Sequence, residues 1–347
     1  MRTSELDTPS LVVDLDVLER NIAGMAALCK DIGITQRVHT KTHKTPEIAH
    51  MQVAAGSRGI TCQKLGEAEA MVDGGLDDIL IPYNIVGKPK LERLVNLSRR
   101  ARITVAVDSA DTAHGIAHAA DVAGIEIPLL VEMDTGSRRC GVQSPAAVTM
   151  LAQHIESTTG VTFAGVMTYP SRASARAFID ETVESLGAAG MEADIISGGG
   201  TGSERASREM GCTETRSGSY AYEGMTRLGR SEDLNAERCA LRMIVTIVSV
   251  PTTDRIIIDA GQKSFTSYPP SPYGHIIEQP DAKISAMSVE HGHVDTSECD
   301  RHFYVGERLS VIPLHQGMTS NLHDELVAIR GDEVEHVWRI AGRGRVK

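Results

Sequence analysis

The chain has 347 residues, which is enough for two domains with substantial cores. Its formal net charge of -11 argues against nucleic acid or an anionic membrane surface as a partner. No apolar run approaches the ~18 residues that cross a bilayer, and the first residues lack the apolar segment of a signal peptide, so we expect a cytoplasmic protein. The 6 cysteines are widely spaced and indicate neither a disulfide framework nor a structural zinc module.

Short β-branched runs alternate with helix-like segments over the first two thirds of the chain. The candidate strands are residues 11–15, 37–41, 59–63, 78–83, 102–107, 127–133, 163–169 and 193–197. The clearest candidate helices are residues 17–29, 64–73, 145–155 and 176–189. Because strands separated by helices pair in parallel through crossovers, the pattern predicts a closed (β/α)8 TIM-type barrel, with a doubly wound open sheet as the alternative.

The pattern changes after about Arg230. Short apolar or alternating runs, separated by Gly, Pro, Asp and His, follow at residues 239–250, 255–259, 282–289, 308–313, 325–330 and 333–340. These predict a C-terminal, mostly-β domain. We therefore place a barrel domain at residues 10–230 and a β domain at residues 231–347, which residues 1–9 could join. The turns of the second domain carry His291, His293, His315 and His323.

A polar stretch, RVHTKTHK at residues 37–44, coincides with the second predicted strand. If it is extended, its two-residue period turns Arg37, His39, Lys41 and His43 to one face. Such a face is costly to bury, so we expect it to border a wet or ligand-filled space. Neighbouring cations also lower the pKa of a lysine, which suits an amine that attacks a carbonyl carbon. The alternative is a basic edge strand that faces solvent.

Polar groups also follow the other predicted barrel strands, where TIM-type barrels place their active sites. A glycine-rich turn, SGGGTGS at residues 197–203, could hold a phosphate with its backbone amides. It does not match the dinucleotide fingerprint, because Ser203 stands where the third glycine would be. The segment RSGSY at residues 216–220 adds amides and hydroxyls. A lysine and a phosphate site on one barrel rim together suggest pyridoxal phosphate as cofactor.

Several segments resemble fold-type III pyridoxal phosphate enzymes, and within them the D-threonine aldolases and D-serine dehydratases. These segments are HTKTHK at 39–44, CQK at 62–64 with EAE at 67–69, EMD at 132–134 with Gly136 and RCGV at 139–142, the glycine turn at 198–202, and RSGSY at 216–220. The resemblance covers most of the chain. It implies an alanine racemase-like barrel, pyridoxal 5'-phosphate, and a lyase that splits D-β-hydroxy-α-amino acids into glycine and an aldehyde.

The resemblance also implies residue roles. Lys41 would bind the cofactor's aldehyde and shuttle a proton, and Tyr169 would meet the pyridine nitrogen. Arg139 and Gln63 would organise the lysine and the cofactor's phenolic oxygen. The phosphate would be held by Gly200, Thr201, Gly218, Ser219 and Tyr220. The structural alternatives are strand-end packing for Tyr169, a helix cap for Arg139 and a core position for Tyr220.

The sequence departs from the family at its metal site. Family members carry His-x-Cys or His-x-Asp in the second domain, whereas the matching segment here, PLHQGM at residues 313–318, has Gly317 at the second position. His315 is the candidate ligand for a divalent ion (Mn, Mg or Zn), and further ligands could come from His291, His293, Asp295 or Asp324. Alternatively, His315 acts without a metal as an acid or base near the substrate hydroxyl, or is structural. Residues 170–174 also lack the Gly- and His-containing loop of an aldolase.

Three other activities remain open at this point. Dehydration of D-serine or a related hydroxy amino acid is the close variant, and an amino-acid racemase would need a second base opposite the lysine. A non-enzymatic carrier of pyridoxal phosphate would need only the barrel, so the residues after Arg230 argue against it. The resemblance further implies a homodimer in which the second domain of one chain closes the site of the other.

Overall fold

A computed structural model describes residues 1–225, 227–228, 235–268 and 270–347. The strands are β1 (Ser10–Asp14), β2 (Thr35–His39), β3 (Gly59–Thr61), β4 (Asp78–Ile81), β5 (Arg102–Val107), β6 (Ile127–Met133), β7 (Val161–Thr168), β8 (Ile195–Gly198), β9 (Glu214–Thr215), β10 (Leu241–Thr252), β11 (Arg255–Ile258), β12 (Gly274–Ile276), β13 (Lys283–Met287), β14 (Gly292–Asp295), β15 (Arg308–Pro313), β16 (Glu325–Arg330) and β17 (Glu333–Arg339). The α-helices are α1 (Leu15–Asp31), α2 (Pro46–Ala54), α3 (Leu65–Asp73), α4 (Lys88–Ser98), α5 (Ala110–Val122), α6 (Pro145–Glu156), α7 (Ala175–Ala188), α8 (Glu204–Glu209) and α9 (Gln316–Ser320).

Contacts divide the chain into two compact units. The barrel unit comprises Gly24–Lys41, Pro46–Gly218 and Arg345–Lys347. The sheet unit comprises Met1–Ala23, Thr42–Thr45 and Ser219–Gly344. The domain boundary predicted between residues 230 and 231 lies outside the described residues.

The barrel unit confirms the predicted fold. Its parallel strands β2 to β9 pair in sequence order, and β9 pairs with β2 to close the barrel. Helices fill the crossovers and begin at clear signals: the Ser109 and Ser144 hydroxyls accept hydrogen bonds from the first turns of α5 and α6, and Pro145 opens α6. The polar segments that follow the strands therefore gather at one end of the barrel.

Two barrel strands differ from the prediction. Residues 11–15 were assigned to the barrel, but β1 pairs with β10 and β16 in the sheet unit, so that assignment was wrong. The last barrel strand is instead β9, which has two polar residues and no apolar run to signal it. A short buried run such as that of β1 has the same sequence signature in a barrel as in the centre of a sheet.

The sheet unit is mostly β, as predicted. Its described strands form one sheet in the order β11-β14-β13-β12-β15-β10-β1-β16-β17, in which β1 and β16 are parallel. Strands β12 and β14 were not predicted, and His293 lies on β14 rather than in a turn.

None of the helices in the described part of the chain combines the length and apolar character needed to cross a membrane.

Candidate active site

Lys41 lies directly after the carboxyl end of β2. The strand ends at His39, and Thr40–Thr42 form a single 3-10 turn. The prediction that Arg37, His39, Lys41 and His43 share one strand face was therefore wrong beyond His39, because the two-residue period ends there. Lys41 instead leaves the strand at the end of the barrel where the βα segments meet.

Protein groups around Lys41 favour its neutral amine. The residue is exposed to solvent, but crowding of the amine by protein atoms lowers its pKa, and the cations Arg216 and Arg139 lower it further. Glu67 opposes them more weakly. A neutral amine is the form that attacks a carbonyl carbon, so this environment suits covalent capture of an aldehyde.

His39 connects Lys41 to the end of the neighbouring strand. Its Nδ1 lies 3.4 Å from the Lys41 backbone nitrogen, which donates to it, and its Nε2 lies 3.2 Å from Gln63 Oε1. Burial, followed by the charge of Lys41, lowers the pKa of His39 well below its ordinary value. The ring is therefore neutral, and because Nδ1 accepts, Nε2 carries the hydrogen that is donated to Gln63. Gln63 is in turn fixed by its backbone N–H, which donates to Glu67 Oε2 at 2.9 Å.

Arg216 is a site residue to which the sequence analysis gave no role. It is buried, with Nη1 donating to Ser197 Oγ at 2.6 Å and Nη2 donating to the Thr168 carbonyl oxygen at 2.7 Å. Its charge is the largest of those that lower the pKa of Lys41. The sequence signal for this residue was its place at the start of the RSGSY segment. We interpreted that segment only as a source of amides and hydroxyls.

Arg139 and Tyr169 lie together at the ends of neighbouring strands. Arg139 Nη2 lies 3.3 Å from Glu132 Oε1, and its guanidinium carbon lies 5.6 Å from the centre of the Tyr169 ring. Burial raises the pKa of Glu132, although Arg139 opposes the shift. Tyr169 is 44% exposed, so part of the residue is accessible to a ligand.

The glycine turn after β8 is lined by donors. The Gly200 amide donates to Ser203 Oγ at 3.0 Å, and the Gly218 amide donates to Thr201 Oγ1 at 3.2 Å. Gly199 has a φ of +71°, which favours glycine, and a Cβ on Gly218 would collide with the His39 carbonyl oxygen. A phosphate could replace the two hydroxyl oxygens as acceptor, and the hydroxyls could then donate to it.

These features fit pyridoxal phosphate. The barrel unit holds an amine with a lowered pKa, Lys41, and a turn of amides and hydroxyls suited to a phosphate, Gly200, Thr201 and Gly218. It also holds Gln63, Arg139 and Tyr169 at strand ends of the same barrel. Ser219 and Tyr220 belong to the sheet unit, where they form a 3-10 turn in which Tyr220 is buried. Their predicted contact with the phosphate stays a prediction.

His315 caps the short helix α9 of the sheet unit. Its Nδ1 accepts a hydrogen bond from the Met318 backbone at 3.2 Å, and its ring packs edge-on against Tyr268. Three of the four residues proposed to assist it have other partners: His293 contacts Ser288, Asp295 accepts from Ser297, and Asp324 pairs with Arg343. Within the described ranges, no three His, Cys, Asp or Glu side chains lie close enough to share an ion. These residues do not fit a resident metal, and a ligand role for His315 stays a prediction.

The neutral state of His39 predicts a pH dependence of stability. The unfolded chain takes up a proton on this ring near pH 6.5, whereas the folded chain resists protonation, so stability is present above that pH and lost below it. The expected loss is at most ~1.4 kcal/mol per pH unit. Urea unfolding between about pH 7.5 and 5.5 should show a shallower decline for His39→Gln than for the wild type. His275 and His323, whose pKa values are also lowered by burial, act equally in both proteins. Parallel declines would contradict a neutral His39.

Comparisons with known proteins extend over both units. The model of the alanine racemase N-terminal domain matches residues 13–226, and that of a serine dehydratase domain matches residues 240–329. A D-threonine aldolase from Arthrobacter sp is 38% identical over 98% of this chain and 94% of its own length.

Solved structures give the same result. The crystal structure of D-threonine aldolase from Filomicrobium marinum superimposes with a TM-score of 0.94 and 31% identity, covering 100% of this chain and 98% of that one. D-threo-3-hydroxyaspartate dehydratase from Delftia sp. HT23 superimposes with a TM-score of 0.85 and 29% identity, covering 97% of this chain and 98% of that one. The barrel and the sheet unit are both similar to those of lyases.

Proposed function

This chain belongs to the alanine racemase-like, fold-type III pyridoxal phosphate enzymes, and we propose that it cleaves D-configured β-hydroxy-α-amino acids to glycine and an aldehyde. The observation that carries the proposal is Lys41, whose amine lies past the end of a barrel strand among cations that favour its neutral form. The full-length similarity to a D-threonine aldolase supports the substrate class.

Each residue contributes a defined step. Lys41 would hold the cofactor through its aldehyde, and its amine would be free for proton transfer once the substrate amine takes its place. Arg139 and Tyr169 lie at the rim, where they can orient the cofactor ring, and Gly200, Thr201 and Gly218 hold its phosphate. Pyridoxal phosphate, when bound, supplies an electron sink for the pair left on the substrate α-carbon. His39 and Gln63 keep the segment around Lys41 in place.

Cleavage requires a base for the substrate hydroxyl. That base removes the β-hydroxyl proton, the bond between the α- and β-carbons breaks, the aldehyde leaves, and the α-carbon gains a proton to give glycine. The free amine of Lys41 would be one proton carrier. His315 is the second candidate, from its sequence context alone.

Dehydration is the second candidate function, favoured by the similarity to the Delftia dehydratase. In that reaction Lys41 would remove the α-proton and the β-hydroxyl would leave as water. The resulting enamine would tautomerise to an imine, which a water molecule hydrolyses to a keto acid and ammonia. The two reactions share the amine and the phosphate turn and differ in which bond to the α-carbon breaks. Product analysis therefore separates them.

We expect the reconstituted protein to release glycine and acetaldehyde from D-threonine and neither product from L-threonine. Products would be identified by chromatography, with D-serine and D-alanine in parallel incubations and with chelator-treated enzyme in a further series. Keto acid and ammonia would establish the dehydratase instead, and enantiomer exchange of D-alanine alone would establish a racemase. Activity that survives chelation agrees with the poor fit of the described residues to a metal, whereas its loss would contradict that.

Two further expectations rest on the sequence alone. We propose a homodimer in which each chain closes its partner's site, which sedimentation of an active monomer would refute. We also propose a cytoplasmic location.

A further inference from the structure

A chain of hydrogen bonds leads from the residues around Lys41 into the barrel interior. Arg216 Nη1 donates to Ser197 Oγ at 2.6 Å, and the Ser197 hydroxyl donates to Glu214 Oε1, also at 2.6 Å. The other oxygen of Glu214 accepts from Arg37 Nε at 3.1 Å, and Arg37 Nη1 meets Asp78 at 2.6 Å. The direction of every bond is set, because an arginine only donates and a carboxylate only accepts.

The residues joined by these hydrogen bonds form two polar layers. The two-residue strand period puts Arg37 and His39 on one face of β2, and it relates Glu214 to Arg216 in the same way. Gly59 leaves the space through which Arg37 reaches Asp78, since a Cβ there would lie 2.8 Å from Arg37 Nη1. Arg37, Glu214 and Ser197 thus form one hydrogen-bonded polar layer, and His39 and Arg216, each two residues further along the chain than Arg37 and Glu214, belong to the second.

Burial of these charges is costly. Arg37, Glu214 and Arg216 are each at most 5% exposed, whereas barrel interiors are usually filled by branched apolar side chains. On strands β4 to β7, by contrast, Leu80, Ala106, Leu130 and Met167 pack together as a buried apolar cluster. A buried ion pair seldom adds net stability over such packing, so the benefit of the polar layers lies elsewhere.

We propose that Glu214 is a positioning residue which, through the Ser197 hydroxyl, holds the Arg216 guanidinium in the place from which its charge acts on Lys41. The inference rests on the proposed function and deepens it, because it names the residue that controls the protonation of the Lys41 amine. Glu214 has two effects of opposite sign. Its negative charge offsets part of the positive potential at the Lys41 amine. Its link through Ser197 keeps Arg216 extended toward the Thr168 carbonyl, which maintains that positive potential.

Other charged groups also act on this amine and are kept constant in the test. Among the described residues, the strongest charges on Lys41 besides Arg216 are those of Arg139 and Glu67, and the neutral His39 bonds its backbone. Those acting on Arg216 are Glu214, Cys212, Glu132 and Arg139. Of these four described groups, Glu214 is the one that a bridging hydroxyl, that of Ser197, joins to Arg216.

The test measures the titration of Lys41 in the full chain after removal of cofactor, by competitive acylation across pH and peptide mass spectrometry. Glu214→Gln removes the negative charge but keeps an oxygen that accepts from the Ser197 hydroxyl, so it should lower the Lys41 pKa further. Ser197→Ala removes the spacer, so Arg216 can approach Glu214 directly and move away from Lys41, and the Lys41 pKa should rise. The matched control is Ser57→Ala, which removes a buried barrel hydroxyl bonded to backbone oxygens of Gln36 and Gly59.

Opposite shifts in the two variants, with none in Ser57→Ala, would establish the relay. Unchanged titration in Ser197→Ala, or shifts of the same sign in both variants, would overturn it. If Glu214→Gln does not fold, the upward shift in Ser197→Ala decides alone. Because the readout is the amine itself, it is independent of whether the enzyme is an aldolase.

Discussion

Lys41→Ala is expected to abolish turnover of D-threonine, by about 10⁴-fold or more, while the protein stays folded. The variant lacks the amine that captures the cofactor aldehyde and that carries protons afterwards. Because the side chain is exposed and lies outside the strands, its loss leaves the barrel core unchanged. Initial rates with saturating cofactor, together with a circular dichroism melt, would check both parts.

The matched control is Lys64→Ala. Lys64 is also a lysine just past the end of a barrel strand, but its Nζ lies 3.6 Å from the centre of the Tyr83 ring. We expect this variant to keep its activity within a few-fold of wild type. If Lys41→Ala retained wild-type turnover, or if Lys64→Ala lost activity to the same degree, Lys41 would not be the central amine.

Arg37→Leu is expected to lower the free energy of unfolding by about 3–5 kcal/mol. Burial alone would lower the pKa of Arg37, but Glu214 and Asp78 outweigh it and raise that pKa, so the guanidinium is charged and paired on two sides. Leucine would leave the Glu214 carboxylate buried without its ion partner. Urea denaturation at neutral pH measures the loss.

Arg102→Leu provides the comparison, because Arg102 pairs with the same Asp78 from the exposed side at 3.6 Å. Its side chain is 69% exposed, and an exposed pair contributes at most about 1 kcal/mol. Equal losses in Arg37→Leu and Arg102→Leu would show that the interior network adds nothing beyond a surface ion pair. A large loss in Arg37→Leu alone agrees with the buried polar layers of the barrel.

The fold could be predicted because its signals are local. The alternation of strand-like and helix-like runs and the polar strand ends each follow from neighbouring residues. The exchange of β1 for β9 could not be predicted in this way. β1 joins the sheet through pairing with β10, more than 200 residues away, and β9 is too short to carry a pattern.

The site shows the same division. Lys41 and the glycine turn were predicted from residue type and position, and their roles stay predictions, whereas Arg216 was not assigned a role. Its effect depends on Ser197 and Thr168, which meet it only when the barrel closes. Arg37 was read as part of a ligand-facing surface, but its partners Glu214 and Asp78 are distant in sequence, and it lies in the interior.

The most direct test of the account is the location of the cofactor on the chain. The holoenzyme would be reduced with borohydride, digested and examined by peptide mass spectrometry. The account predicts one phosphopyridoxyl group, on Lys41, and none on Lys44 or Lys64. A label on another lysine, or no label after reconstitution with pyridoxal phosphate, would contradict it.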